Sequence, residues 1–143
     1  MQPSHVLVPL DGSPLAEKAL AHGLAVFDCR VTVLNVVTPL DAPLSEGGVL
    51  EAGDERIEKG RAHAEAVIDR AERQAEAAGR TVETVVETGE PAETILAFVD
   101  DHDVDQVVMG GHGGDHGRIA RRLLGTVATA VVGDAPVTVT VVR

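Results

Sequence analysis

Apolar residues along the chain fall into two rhythms. Short runs of branched aliphatics occur at residues 5–10 (HVLVPL), 31–37 (VTVLNVV), 82–87, 104–109 (VDQVVM) and 137–142 (VTVTVV). Such runs, four to eight residues long and bounded by turn residues, predict strands buried on both faces. Between them apolar positions recur at helical spacing. Asp11-Gly12 breaks the first run, Ser13 can cap a helix with Pro14 in its first turn, and that helix runs to about Phe27. Residues 38–48, with Pro39, Pro43, Gly47 and Gly48, read as a loop. The longest helix is predicted over 51–78, where Ile57, Ala64, Ile68, Ala71, Ala75 and Ala78 form one stripe and Gly79 sits at the C-cap. Gly89-Glu90-Pro91 opens a helix carrying Ile95, Leu96, Phe98 and Val99. A last helix is predicted from about Arg118 to Val132, closed by Gly133.

The order βαβαβαβαβ predicts one α/β domain spanning residues 1–143: an open parallel five-stranded sheet with helices on both faces. No repeat or linker marks a second domain. In such sheets ligands sit beyond the carboxyl ends of the strands, where the winding reverses. Two loops at that edge are chemically unusual. The first strand runs into Val8-Pro9-Leu10-Asp11-Gly12-Ser13, and the fourth into Gly110-Gly111-His112-Gly113-Gly114-Asp115-His116-Gly117, with Gly125-Thr126 beyond. Glycine lets backbone N–H groups approach an anion, and a helix N-terminus adds unpaired donors and a partial positive charge. A tight turn is the plainer reading of the second loop, but five glycines in eight residues exceed what a turn requires.

Charge sharpens this picture. The chain carries 23 acidic and 12 basic residues, a formal net charge of −11. Between Gly110 and Thr126, however, Arg118, Arg121 and Arg122 face a single acid, Asp115. That stretch suits a polyphosphate, although a solvated helix face accounts for the arginines equally well. Asp11 reads either as an acid complementing a helix start or, at the end of the first strand, as a ligand contact. The overall charge disfavours a nucleic-acid backbone, and 1% aromatics leave no platform for stacking bases. Abundant Asp and Glu with only two lysines, Lys18 and Lys59, resemble the style of salt-loving archaea, for which low salt would weaken the fold.

VLVPLDGSPLAEKAL, DQVVMGGHGG, LLGTVATAVV and APVTVTVVR, in that order over essentially the whole chain, are similar to the universal stress protein family. The resemblance implies a Rossmann-like sheet of order 3-2-1-4-5, which sets the first and fourth strands side by side. The family's nucleotide-binding branch uses Gly, two residues, Gly, nine residues, then Gly and Ser or Thr. Gly110 and Gly113 match the opening pair, and Gly125 with Thr126 the closing pair, but eleven residues separate Gly113 from Gly125. The resemblance implies that these glycines and the Thr126 hydroxyl hold the phosphates of ATP, with contacts from His112 and Gly114. It further implies that Asp11 holds the ribose, that the Val37 backbone meets adenine, and that Mg²⁺ arrives with the nucleotide. The two extra residues either bulge outward or reshape the site. In the second case the chain is a dimeric interaction module of the same fold that binds no nucleotide.

Other chemistry finds less support. No lysine lies near the glycines, which speaks against P-loop hydrolysis, and the dinucleotide fingerprint is missing from the first strand–helix turn. His112, Asp115 and His116 form no fixed metal geometry among glycines. No nucleophile–base pair stands out, so no catalytic residue is assigned and any ATP hydrolysis would be slow. His5, His22, His63 and His102 read as surface or half-buried residues, and Cys29 as a small apolar filler. One cysteine cannot form an internal disulfide, no apolar stretch spans a bilayer, and residues 1–4 carry no basic leader, so the default location is cytoplasmic. Along residues 137–142, Val137, Val139 and Val141 alternate with Thr138 and Thr140 without charge. The family order makes this an edge strand, and two-fold pairing into a homodimer would cover it. A further protein partner would remain unidentified.

Overall fold

A computed structural model describes residues 2–38, 49–112 and 124–143, with the backbone alone for 49–56. In chain order the elements are β1 (His5–Pro9), α1 (Pro14–Val26), β2 (Arg30–Val37), α2 (Val49–Ala77), β3 (Glu83–Thr88), α3 (Pro91–Asp101), β4 (Gln106–Gly110), α4 (Thr126–Asp134) and β5 (Thr138–Val142). The five strands form one sheet in the order β3-β2-β1-β4-β5, and every pairing is parallel.

The strands sort their residues by the period of two. Val6, Val8, Val31, Val33 and Val108 meet α1 and α2 on one face. Leu7, Leu34, Val107 and Met109 meet α3 and α4 on the other. With Phe27 and Phe98 as the chain's only Phe, Tyr or Trp residues, both layers are filled mainly by Val, Leu and Ala. Small residues allow close approach of helix to sheet: Ala16, Ala19, Ala64, Ala71 and Ala75 are all buried. The stripe predicted along α2 is therefore right in its second half only. Ile57 is 52% exposed, and Val67 takes a buried place that the stripe omitted. Ala78 lies past the last helical residue, where Gly79, at φ +72, begins a left-handed cap in which the Arg80 N–H reaches the Ala75 carbonyl at 2.8 Å.

The amino-end edge of the sheet is polar and fully engaged. His5 is 3% exposed, which corrects its reading as a surface or half-buried residue. Its Nδ1 bonds the His102 carbonyl at 3.0 Å and its Nε2 meets the Thr32 hydroxyl at 2.7 Å. Burial is tolerated because both ring nitrogens find partners. Asp105 accepts from the Ser4 hydroxyl and from the Ser4 and His5 N–H groups, and these bonds hold its carboxyl below the usual range. Cys29 packs against the α1–α2 layer, and burial pushes its thiol up, away from a reactive thiolate.

Candidate functional site

The carboxyl ends of β1, β2 and β4 open onto a cavity of about 640 Å³. Its walls come from the turn after β1, the end of β2, α2, the start of α3, the end of β4 and the start of α4. Asp11, Val37, Gly110, His112, Gly125 and Thr126 all line it, so six residues singled out from sequence converge on one space. Gly113 and Gly114 lie outside the described residues, as do Asp115, His116, Arg118, Arg121 and Arg122.

The turn after β1 is held from several sides. Gly12 takes φ +88, a conformation open to glycine at little cost. Asp11 Oδ1 accepts from the Ser13 N–H at 2.9 Å, and the Ser13 hydroxyl caps α1 by accepting from the Ala16 N–H at 3.3 Å. From β2, Asn35 Nδ2 donates to the Leu10 carbonyl at 2.8 Å. From α2, His63 Nε2 donates to the Asp11 carbonyl at 3.2 Å. Asp11 itself stays exposed.

The other wall departs from the expected helix boundary. Leu124 and Gly125 are not helical, so α4 begins at Thr126 and the single helix expected from about Arg118 to Val132 is interrupted there; residues 118–123 lie outside the described residues. The reason is local. Gly125 lies extended at φ −68, ψ 171, as an N-cap without a side chain to offer. The first bond returning to the helix start runs from the Thr129 N–H to the Gly125 carbonyl. The N–H groups of Thr126, Val127 and Ala128 therefore have no acceptor within α4. All three residues line the cavity. The two ends of the glycine loop are stapled together, with the Gly125 N–H donating to the Gly111 carbonyl at 2.6 Å and the Gly111 N–H to the Val142 carbonyl at 2.8 Å. A Cβ on Gly125 would sit 3.1 Å from His112 Cα, so this close approach also requires glycine.

Val37, the last residue of β2, also lines the cavity. Its carbonyl already accepts from the Gly89 N–H at 3.0 Å, which leaves it one further lone pair. Pro91 and Ile95 add an apolar wall beside it. Asn35, Thr38 and His63 are the polar lining residues that sequence reasoning passed over. Asn35 did carry a signal, as a polar residue within an otherwise apolar buried run, since such a group needs a partner. His63 carried none, because its reach to the Asp11 carbonyl depends on how α2 lies across the sheet.

The universal stress protein family model matches residues 3–143. The chain belongs to the universal stress protein family. Solved structures of the family agree in fold. The universal stress protein UspA of Lactobacillus plantarum is 23% identical, with a TM-score of 0.83 over 100% of this chain and 99% of that one. The hypothetical protein MJ0577 is 28% identical, with a TM-score of 0.81 over 99% and 96%. A universal stress protein in complex with cAMP is 26% identical, with a TM-score of 0.72 over 100% and 99%. No curated protein matches the chain. Among the described residues, no helix of this universal stress protein is long and apolar enough to cross a membrane, and no cluster of metal-ligating side chains forms.

Proposed function

We propose that this universal stress protein binds ATP in the cavity between the turns after β1 and β4. One observation carries the reading: the donor-rich start of α4 and the Asp11 turn face the same space. Three backbone N–H groups at a helix N-terminus suit phosphate oxygens. Thr126 adds a hydroxyl, Asp11 suits a ribose hydroxyl, and the apolar wall of Pro91 and Ile95 suits a base near Val37. Gly113, Gly114 and His112 would complete the phosphate side, and Mg²⁺ would come with the nucleotide, bound mainly through phosphate oxygens. The two extra residues of the loop do not part its ends, because Gly125 and Gly111 share a hydrogen bond. A family member of known structure holding cAMP supports an adenine nucleotide as the ligand class.

The test is direct. Nucleotide released from the denatured protein is identified, and ATP is titrated calorimetrically. Thr126→Ala removes one charge-assisted hydrogen bond to phosphate and is expected to weaken binding about ten-fold or more. Gly125→Val, whose Cβ would meet His112, is expected to abolish it. Equal affinities in all three proteins would refute the cradle. No binding even in the wild type would favour the nucleotide-free interaction module.

The nucleotide state would tune a stress-related interaction of a cytoplasmic homodimer. β5 is the sheet edge beyond β4, and its four valine and threonine positions from Val139 to Val142 are only half-buried in the single chain. Pairing two copies of β5 satisfies its outer backbone groups. Lysines at both Thr138 and Thr140 are expected to yield a monomer in sedimentation equilibrium. The halophilic reading belongs to the same runs, since a charge of −11 predicts a folded dimer that weakens as salt is withdrawn. A wild-type monomer, or stability indifferent to salt, removes the corresponding claim.

A further inference from the structure

β2 buries two polar side chains, Thr32 and Asn35, at 1% and 3% exposure. Thr32 is engaged by His5 at the amino end of the sheet. Asn35 lies at the carboxyl end and lines the cavity. Its amide nitrogen is fixed by chemistry, because the Leu10 carbonyl that it meets at 2.8 Å can only accept. That places the amide oxygen on the other side of the group. No described residue donates to Asn35 Oδ1, and it is not among the side-chain atoms sealed from solvent without a partner. A residue so deeply buried reaches solvent through the cavity that it lines.

Asp11 follows Leu10 directly and presents a second oxygen of the same kind. Its Oδ1 takes the Ser13 N–H, while no described residue donates to Oδ2. Two acceptor oxygens thus border the cavity, one on β2 and one on the turn that β2 and α2 hold. Anions are unwelcome there, since lone pairs would face lone pairs. The fitting group is uncharged and offers two neighbouring O–H donors.

We infer that Asn35 accepts one hydroxyl of a ribose diol while Asp11 accepts the other, so that the cavity selects intact ribonucleotides over deoxynucleotides. The inference rests on the nucleotide reading above and assigns Asn35 a specificity role within it. ATP, 2′-deoxy-ATP and 3′-deoxy-ATP are titrated against wild type, Asn35→Ala and Asn35→Asp. In the wild type both deoxy analogues bind more weakly than ATP: about five-fold for the hydroxyl on Asn35, a neutral hydrogen bond, and about ten-fold or more for the hydroxyl on the Asp11 carboxylate, a charge-assisted one. In Asn35→Ala one of the two penalties disappears and the other, which belongs to Asp11, remains. Asn35→Asp, protonated because its carboxyl is buried against the Leu10 carbonyl, donates its O–H there and keeps an acceptor oxygen, so both penalties remain. Equal affinities in the wild type overturn the inference. So does an alanine variant that keeps both penalties or loses both, or an aspartate variant that loses either. A wild type that binds no ATP is a different failure, that of the nucleotide reading, and it removes this inference with it.

Discussion

Valine in place of Gly110 is expected to cost about 3 kcal/mol or more of folding stability, the upper range for forced overpacking. A Cβ at Gly110 would lie 3.0 Å from Leu15 Cβ, 3.1 Å from the Leu15 carbonyl carbon and 3.2 Å from the Ala16 nitrogen. Two of those atoms are α1 backbone, so no rotamer change relieves the clash, and α1 must lift away from β4. Alanine should cost less than valine, since it adds only the Cβ. Gly133 supplies the control. It lies in α4 with nothing within 4 Å of its missing Cβ, so Gly133→Ala is expected to gain up to about 1 kcal/mol from helix propensity. Denaturant melts of the three variants decide the matter. If Gly110→Val melts like the wild type, α1 is not packed against β4 as described. The result also bears on how the glycine motif is understood. Gly110 and Gly125 each have a packing reason to be glycine, so their presence alone does not certify a phosphate site.

Arg80→Met is expected to destabilise the fold by about 3 kcal/mol, because it removes three charge-assisted hydrogen bonds while keeping the apolar stem. Arg80 follows the Gly79 cap, and its guanidinium donates to the carbonyls of Leu24 at 2.7 Å, Phe27 at 2.9 Å and Cys29 at 2.9 Å. These carbonyls lie at the end of α1 and along its link to β2. α1 has no basic residue in its own last turn, so Arg80 supplies the positive charge that complements the helix terminus. Arg30→Met is the comparison. Arg30 pairs with Glu83 at 2.7 Å, but the two side chains are 52% and 53% exposed, and such pairs contribute less than about 1 kcal/mol. The Arg30 guanidinium holds the Glu83 carboxyl below its usual range, yet solvent screens most of that attraction. Thermal melts in which the two variants lose equal stability would show that Arg80 is no clamp.

Strand and helix order was readable from hydrophobic spacing, and with it the parallel sheet and the edge at which a cavity opens. That worked because burial on two faces leaves a signature in any short segment, whatever its neighbours. Ser13 and Gly79 were equally readable, since caps act within a few residues. The order β3-β2-β1-β4-β5 came from the family resemblance, and the structure bears it out.

What the chain by itself determined is therefore local: the elements, most of their ends, and the residues Asp11, Gly110 and Thr126 that face the cavity. Tertiary structure decided the rest. The burial of His5, the reach of Arg80 across 51 to 56 residues, and the approach of Asn35 and His63 to the Asp11 turn all depend on distant partners. Hydrogen bonds form between groups that folding brings within 3.5 Å, and no spacing along the sequence records which groups those are.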